Sequence, residues 1–174
     1  MLRAGDVFCH VHQGAGHTIL GNNGKVLPEI AAAQKRGVIF DAANGRNNFS
    51  FTVAQQAIQE GFLPDVISSD LTAKTLYGDF VFGLPYVMMK YLNMGMQLQD
   101  VIASCTSNPA RQMGLSGKIG TLAPGAFADV AVFRHIRKKY VMHDNSGKSI
   151  EGEHLLLPQL TVLNGKVVFR SIEF

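Results

Sequence analysis

Through its first 70 positions the chain sets short unbroken apolar runs between amphipathic stripes. Val7 to Val11 is one run, rich in β-branched and aromatic side chains. Val38-Ile-Phe-Asp41 is a second, and Val66-Ile67 begins a third. Between the first two, Val26 to Arg36 places Ile30, Ala31, Ala33 and Gln34 on a helical period and closes on Lys35, Arg36 and Gly37. Between the second and third, Thr52 to Glu60 carries Val53, Ala54, Ala57 and Ile58 on one stripe and stops at Gly61. Near-continuously apolar strands alternating with helices predict a parallel sheet covered on both faces. In such sheets functional groups gather beyond the C-terminal strand ends. His10, His12, Asn44 and Asp70 all fall at such ends.

After Asp70 the texture changes. Phe82 to Leu92 predicts a helix with Pro85 in its first turn, and Leu98 to Cys105 predicts another. A short helix through Met113 is expected to open on Pro109. Short strands are expected over Asp129–Phe133 and Tyr140–Met142. Leu160–Leu163 and Lys166–Phe169 flank Asn164-Gly165, a strong hairpin signal. The Val87-Met88-Met89 run and Met94 read as core packing.

Composition narrows the picture. In 174 residues with a formal charge of +3, the one dense basic cluster is Arg134, Arg137, Lys138 and Lys139. It is too short to argue for nucleic acid. Cys9 and Cys105 make neither a disulfide framework nor a zinc knuckle. Charges from Arg3 to Asp6 break up any signal-peptide profile, and no apolar run is long enough to span a membrane. A cytoplasmic protein is the expectation. Gly14-Ala-Gly16 lacks the continuation of a phosphate loop. His17 reads as a polar loop residue, and His135, His143 and His154 as surface residues.

Further motifs follow: Thr106-Ser-Asn-Pro-Ala-Arg111, then Gly120, Thr121, Pro124, Gly125, Ala128 and Asp129. With the preceding βα units and the terminal hairpin, they resemble the C-terminal portion of amidohydrolase-superfamily enzymes, especially the deacetylase and dihydroorotase-like branch. The resemblance covers nearly the whole chain. It implies an α/β fold made of the last three βα units of a (β/α)8 TIM-type barrel (residues 1–115), with part of a small β-sandwich domain (116–174). It also implies one or two divalent metals, Zn²⁺ foremost, held at the strand ends. By residue matching, Asp70 corresponds to the family's final aspartate ligand and catalytic proton carrier, and His10 to its sixth-strand histidine.

His10-Val-His12 is also a His-x-His pair, which would suit a first strand because i and i+2 share a face. Only two βα units separate it from Asp70, and that count favours the sixth-strand register. Asn44 stands where relatives often place a histidine, and an amide is a poor metal ligand and no base at neutral pH. His12, Asn44 and Arg46 are candidates for substrate contact. The expected reaction is hydrolysis of an amide, cyclic amide or acyl ester in a small-molecule substrate. The first five βα units have no counterpart here, so the chain is expected to be a C-terminal fragment, inactive alone. It is expected to self-associate or to pair with an N-terminal partner chain. A non-catalytic interaction module is the alternative.

Overall fold

Val7–Phe8 (β1) and Ile39–Phe40 (β2) pair in parallel, Val7 opposite Ile39 and Phe8 opposite Phe40. This is a computed structural model, and it describes residues 1–174. Parallel neighbours need a crossover. Here it contains the helix Pro28–Lys35 (α1), which starts on a proline and ends at Arg36 before Gly37, whose φ is +94°. The pairing continues irregularly past the strand ends. Val11 N–H donates to the Asp41 carbonyl, Ala42 N–H to Val66, and Asn44 N–H to Ser68.

The third apolar run forms a single parallel bridge, Asp41 to Val66, rather than the expected strand. Beside the bridge the Asp65 carboxylate accepts the Phe40 N–H at 2.8 Å.

The helix Phe51–Gln59 (α2) lies between two apolar clusters. Val53 and Ala57 join Val11, Val38, Phe40 and Phe62 in one. Phe51 and Ala54 join the other, with residues of helix Leu84–Asn93 (α3). In α3 every residue from Val87 to Leu92 is buried, as befits a helix enclosed on all sides. Met88 and Met89 lie in this core. Helix Leu98–Cys105 (α4) follows. The short helix expected to open on Pro109 instead runs Ser107–Gln112 (α5). Pro109 still falls in its first turn, where no intrahelical donor is lost.

The tail is one antiparallel sheet of three strands in the order β3–β4–β5: Val130–His143 (β3), Ser149–Leu163 (β4) and Lys166–Arg170 (β5). The two short strands expected over 129–142 are joined into β3. Irregularities between Val132 and Phe133 and between Arg137 and Tyr140 interrupt the ladder around the Arg134–Lys139 stretch, whose charged side chains are exposed. Asn164 (φ +48°) and Gly165 (φ +76°) form the hairpin turn, the primed geometry that Asn-Gly favours.

This sheet docks on α3. Asn93 accepts the N–H groups of Glu153 and His154 and donates to the His154 carbonyl and the Tyr140 hydroxyl. Gly152 leaves room for that side chain. Met142 and Leu156 complete the core around α3. No helix is long and apolar enough to cross a membrane.

Candidate metal centre at the strand ends

Three residues with side chains sit in the left-handed backbone region where the parallel runs end: His10 (φ +59°), Ala43 (φ +36°) and Asp70 (φ +48°). Such conformations are uncommon outside glycine and cluster at functional sites. They turn the chain at each strand end and bring His10 and Asp70 to one short segment. The His10 ring hydrogen-bonds through Nδ1 to the Ala43 carbonyl at 2.9 Å. A carbonyl can only accept, so Nδ1 carries a proton, and in the neutral ring Nε2 presents a lone pair. That is the arrangement expected of a ligating histidine. Two residues on, Gly45 meets Asp70: any Cβ at Gly45 would collide with Asp70 Oδ2. Asn48 donates to the same oxygen at 3.3 Å. Asp70 is exposed and His10 half-buried. A cleft of about 210 Å³ opens beside His10, lined in part by Phe8, Val11, Gln13 and His17.

The other candidates are placed differently. His12, read as a loop residue able to touch substrate, is fully buried. Its Nδ1 pairs with the Tyr91 hydroxyl at 2.8 Å and its Nε2 has no partner. Burial lowers its pKa to about 3, so the ring is neutral, and no substrate can reach it in this arrangement. Asn44 is also fully buried; it donates to the Gly45 and Phe80 carbonyls, and its Oδ1 has no partner. Its enclosure likewise removes it from direct substrate contact. Arg46 is exposed on a cleft it shares with Lys74 and Asp79. His135 and His154 lie on the tail sheet, bonded to each other at 2.9 Å.

The sequence reading missed Asp41. It is half-buried at the end of β2 and accepts the Ser68 hydroxyl on both carboxylate oxygens. The Cys9 thiol is pushed up by burial and then by the charges of Asp41 and Asp70, so both carboxylates act electrostatically near that residue. A polar residue closing an apolar run was the available signal.

The donors fit a divalent metal in kind: one imidazole nitrogen, Nε2, left free by the Nδ1 bond to Ala43, and one reachable carboxylate. They fit only as part of a site. No group of three or more His, Cys, Asp or Glu side chains comes together in this chain to hold an ion, and catalytic zinc takes three protein ligands.

The amidohydrolase family profile matches residues 11–168, and the chain belongs to that family. It is 28% identical over 168 residues to a deacetylase from Enterococcus faecalis, covering 96% of this chain and 45% of that protein. A deacetylase from Brucella anthropi is 28% identical over 171 residues, covering 98% and 42%. Among solved structures, an adenine deaminase superposes with a TM-score of 0.92 at 27% identity, covering 98% of this chain and 46% of that one. A dihydroorotase gives 0.84 at 29% identity, covering 98% and 44%. The chain thus spans less than half the length of these relatives, and over 98% of it the α/β fold matches the two solved structures.

Proposed function

We propose that this chain carries part of the site of a metal-dependent hydrolase acting on amide, cyclic amide or acyl ester bonds. Its contribution to the centre is His10 and Asp70, with Zn²⁺ the first candidate ion. One observation carries the reading: His10 gives its Nδ1 proton to Ala43 and offers Nε2 beside the segment against which Asp70 packs. When bound, the metal supplies Lewis acidity and brings the pKa of water toward neutrality. His10 contributes a neutral nitrogen donor. Asp70 contributes a carboxylate that takes up the proton of the attacking water and hands it to the leaving amine or alcohol. Its exposure leaves it within reach of substrate, and Asn48 steadies one oxygen. Arg46, exposed nearby in sequence, suits an anionic group on the substrate.

In this reading residues 1–115 are the last three units of a (β/α)8 barrel, and residues 116–174 are part of a small β domain. The remaining ligands come from a segment equivalent to the unmatched half of the relatives, on the same or a separate polypeptide. By itself the described chain does not turn over substrate. Zinc titration with a competing chelator tests the part-site. Wild type is expected to bind more tightly than His10→Ala and Asp70→Asn, and equal binding by all three overturns the assignment. Hydrolysis of N-acetylated or cyclic amide substrates by the chain alone would overturn its incompleteness.

A protein-interaction role is a second reading, supported by β5. All five of its residues are exposed, including Val167, Val168 and Phe169, and it has β4 on one side only.

A further inference from the structure

Four groups join end to end where the parallel strands finish. The Ser68 hydroxyl donates to Asp41 Oδ1 and Oδ2 at 2.8 and 2.9 Å. Asp41 Oδ1 accepts the Ala43 N–H at 3.0 Å. The Ala43 carbonyl accepts the His10 Nδ1–H at 2.9 Å. Between the two bonds lies the Ala43 residue itself, at a φ of +36° that alanine rarely adopts. Such a turn needs something to hold it. An aspartate bonding the N–H two residues ahead is a local device able to do so.

The backbone of Asp41 is fixed as well. Its N–H donates to Phe8, its carbonyl accepts from Val11, and it bridges to Val66. Its carboxylate is therefore aimed from a rigid base, and the charge strengthens the bond from the Ala43 N–H.

We infer that Asp41 is a positioning residue: it holds the Ala43 turn, so that the Ala43 carbonyl fixes the His10 ring in the Nδ1-protonated tautomer and keeps Nε2 facing the site. Ser68 orients the carboxylate by gripping both oxygens. The value of this chain of contacts rests on the reading of His10 as a metal ligand. Its physical content, a tautomer, exists without any metal. Partners that orient a ligating histidine are typically worth about ten- to a hundred-fold in metal affinity.

The test is ¹⁵N NMR of the metal-free chain with labelled histidine at about pH 8, above the ordinary histidine pKa. The His10 signals are assigned by their loss in His10→Gln. Wild type is expected to show the Nδ1–H tautomer. Asp41→Ala is expected to shift His10 toward Nε2–H and to weaken Zn²⁺ binding about ten-fold or more. Asp41→Asn keeps an oxygen for the Ala43 N–H and is expected to restore the tautomer. An Asp41→Ala chain that folds with the His10 tautomer unchanged overturns the proposal. If Asp41→Ala does not fold, Ser68→Ala decides: partial appearance of Nε2–H supports the proposal, and a wild-type His10 signal overturns it. A tautomer shift in Asp41→Ala with unaltered Zn²⁺ affinity upholds the positioning role and instead sinks His10 as a ligand.

Discussion

Asp144 accepts the backbone N–H of Phe51 at 2.8 Å, across 93 positions of sequence. Phe51 is the first residue of α2, and the N-cap Ser50 makes no side-chain cap bond. A carboxylate from the β3–β4 turn therefore does the capping, and the same side chain also takes the Ser146 hydroxyl and the N–H groups of Ser146 and Lys148. Burial pushes the Asp144 carboxyl up, but these bonds outweigh it and leave its pKa below the ordinary value.

Asp144→Ala is expected to destabilise the chain by about 1–2 kcal/mol, the range for a lost cap. Asp144→Asn keeps an acceptor but not the charge and should fall between. Urea midpoints at neutral pH, with unchanged m-values, check this. The folded pKa is depressed, so the carboxylate's contribution is present above the unfolded pKa and fades as pH falls toward the folded one.

His12 is a second source of acid sensitivity. Its pKa falls from 6.5 to about 3 on burial. The folded chain keeps the ring neutral while the unfolded chain takes up a proton below pH 6.5. Stability is therefore full above that value and drops as pH falls toward 3, by at most about 1.4 kcal/mol per pH unit. His12→Gln cannot titrate. The difference in unfolding free energy between wild type and this variant should change steadily between pH 6.5 and 4, to the variant's advantage. A flat difference would contradict the burial.

Lys90 behaves in the opposite range. It is fully buried, donates to the Phe80 carbonyl at 2.5 Å, and lies 4.6 Å from the Phe49 ring centre and 5.4 Å from that of Phe51. Burial lowers its pKa from 10.5 to about 8, against the pull of Asp144. Between those values the unfolded chain holds a proton that the folded chain releases, so stability rises with pH. Lys90→Met removes the charge and should abolish that rise, with its largest relative gain at pH 7 and below. Melting temperatures of both proteins at pH 7 and 9.5 test it.

The open edge of β5 should drive association. Val168 is 59% exposed on a strand with one unpaired side. Sedimentation velocity is expected to show concentration-dependent oligomers for wild type. Val168→Lys, a charge on an edge strand, should shift them toward monomer. A wild-type chain that stays monomeric at high concentration would count against the interaction reading.

What the sequence disclosed follows from how local each determinant is. Helix α4 matches its predicted span because its pattern and boundaries lie within the segment itself. The Asn164-Gly165 turn is likewise local. His10 and Asp70 were legible as residues at strand ends. His12 was not: its environment depends on Tyr91, 79 positions away. Asp144 as the cap of α2 was hidden for the same reason. The third run formed a bridge instead of a strand, and hydrophobic pattern does not register the Asp65 side-chain bond to the Phe40 N–H beside it. Asp41 went unread because its partners, Ser68 and Ala43, meet it only once the parallel runs align.

If His10 and Asp70 hold a metal as proposed, the left-handed backbones of His10, Ala43 and Asp70 bear on how the ion binds. Each is a conformation that an unfolded chain visits seldom, at a cost of roughly 1–2 kcal/mol. The two donors thus exist as a matched set only when the surrounding structure imposes it. An ion that needs both selects the native state by mass action, and its uptake becomes a gauge of how much of the chain is correctly folded.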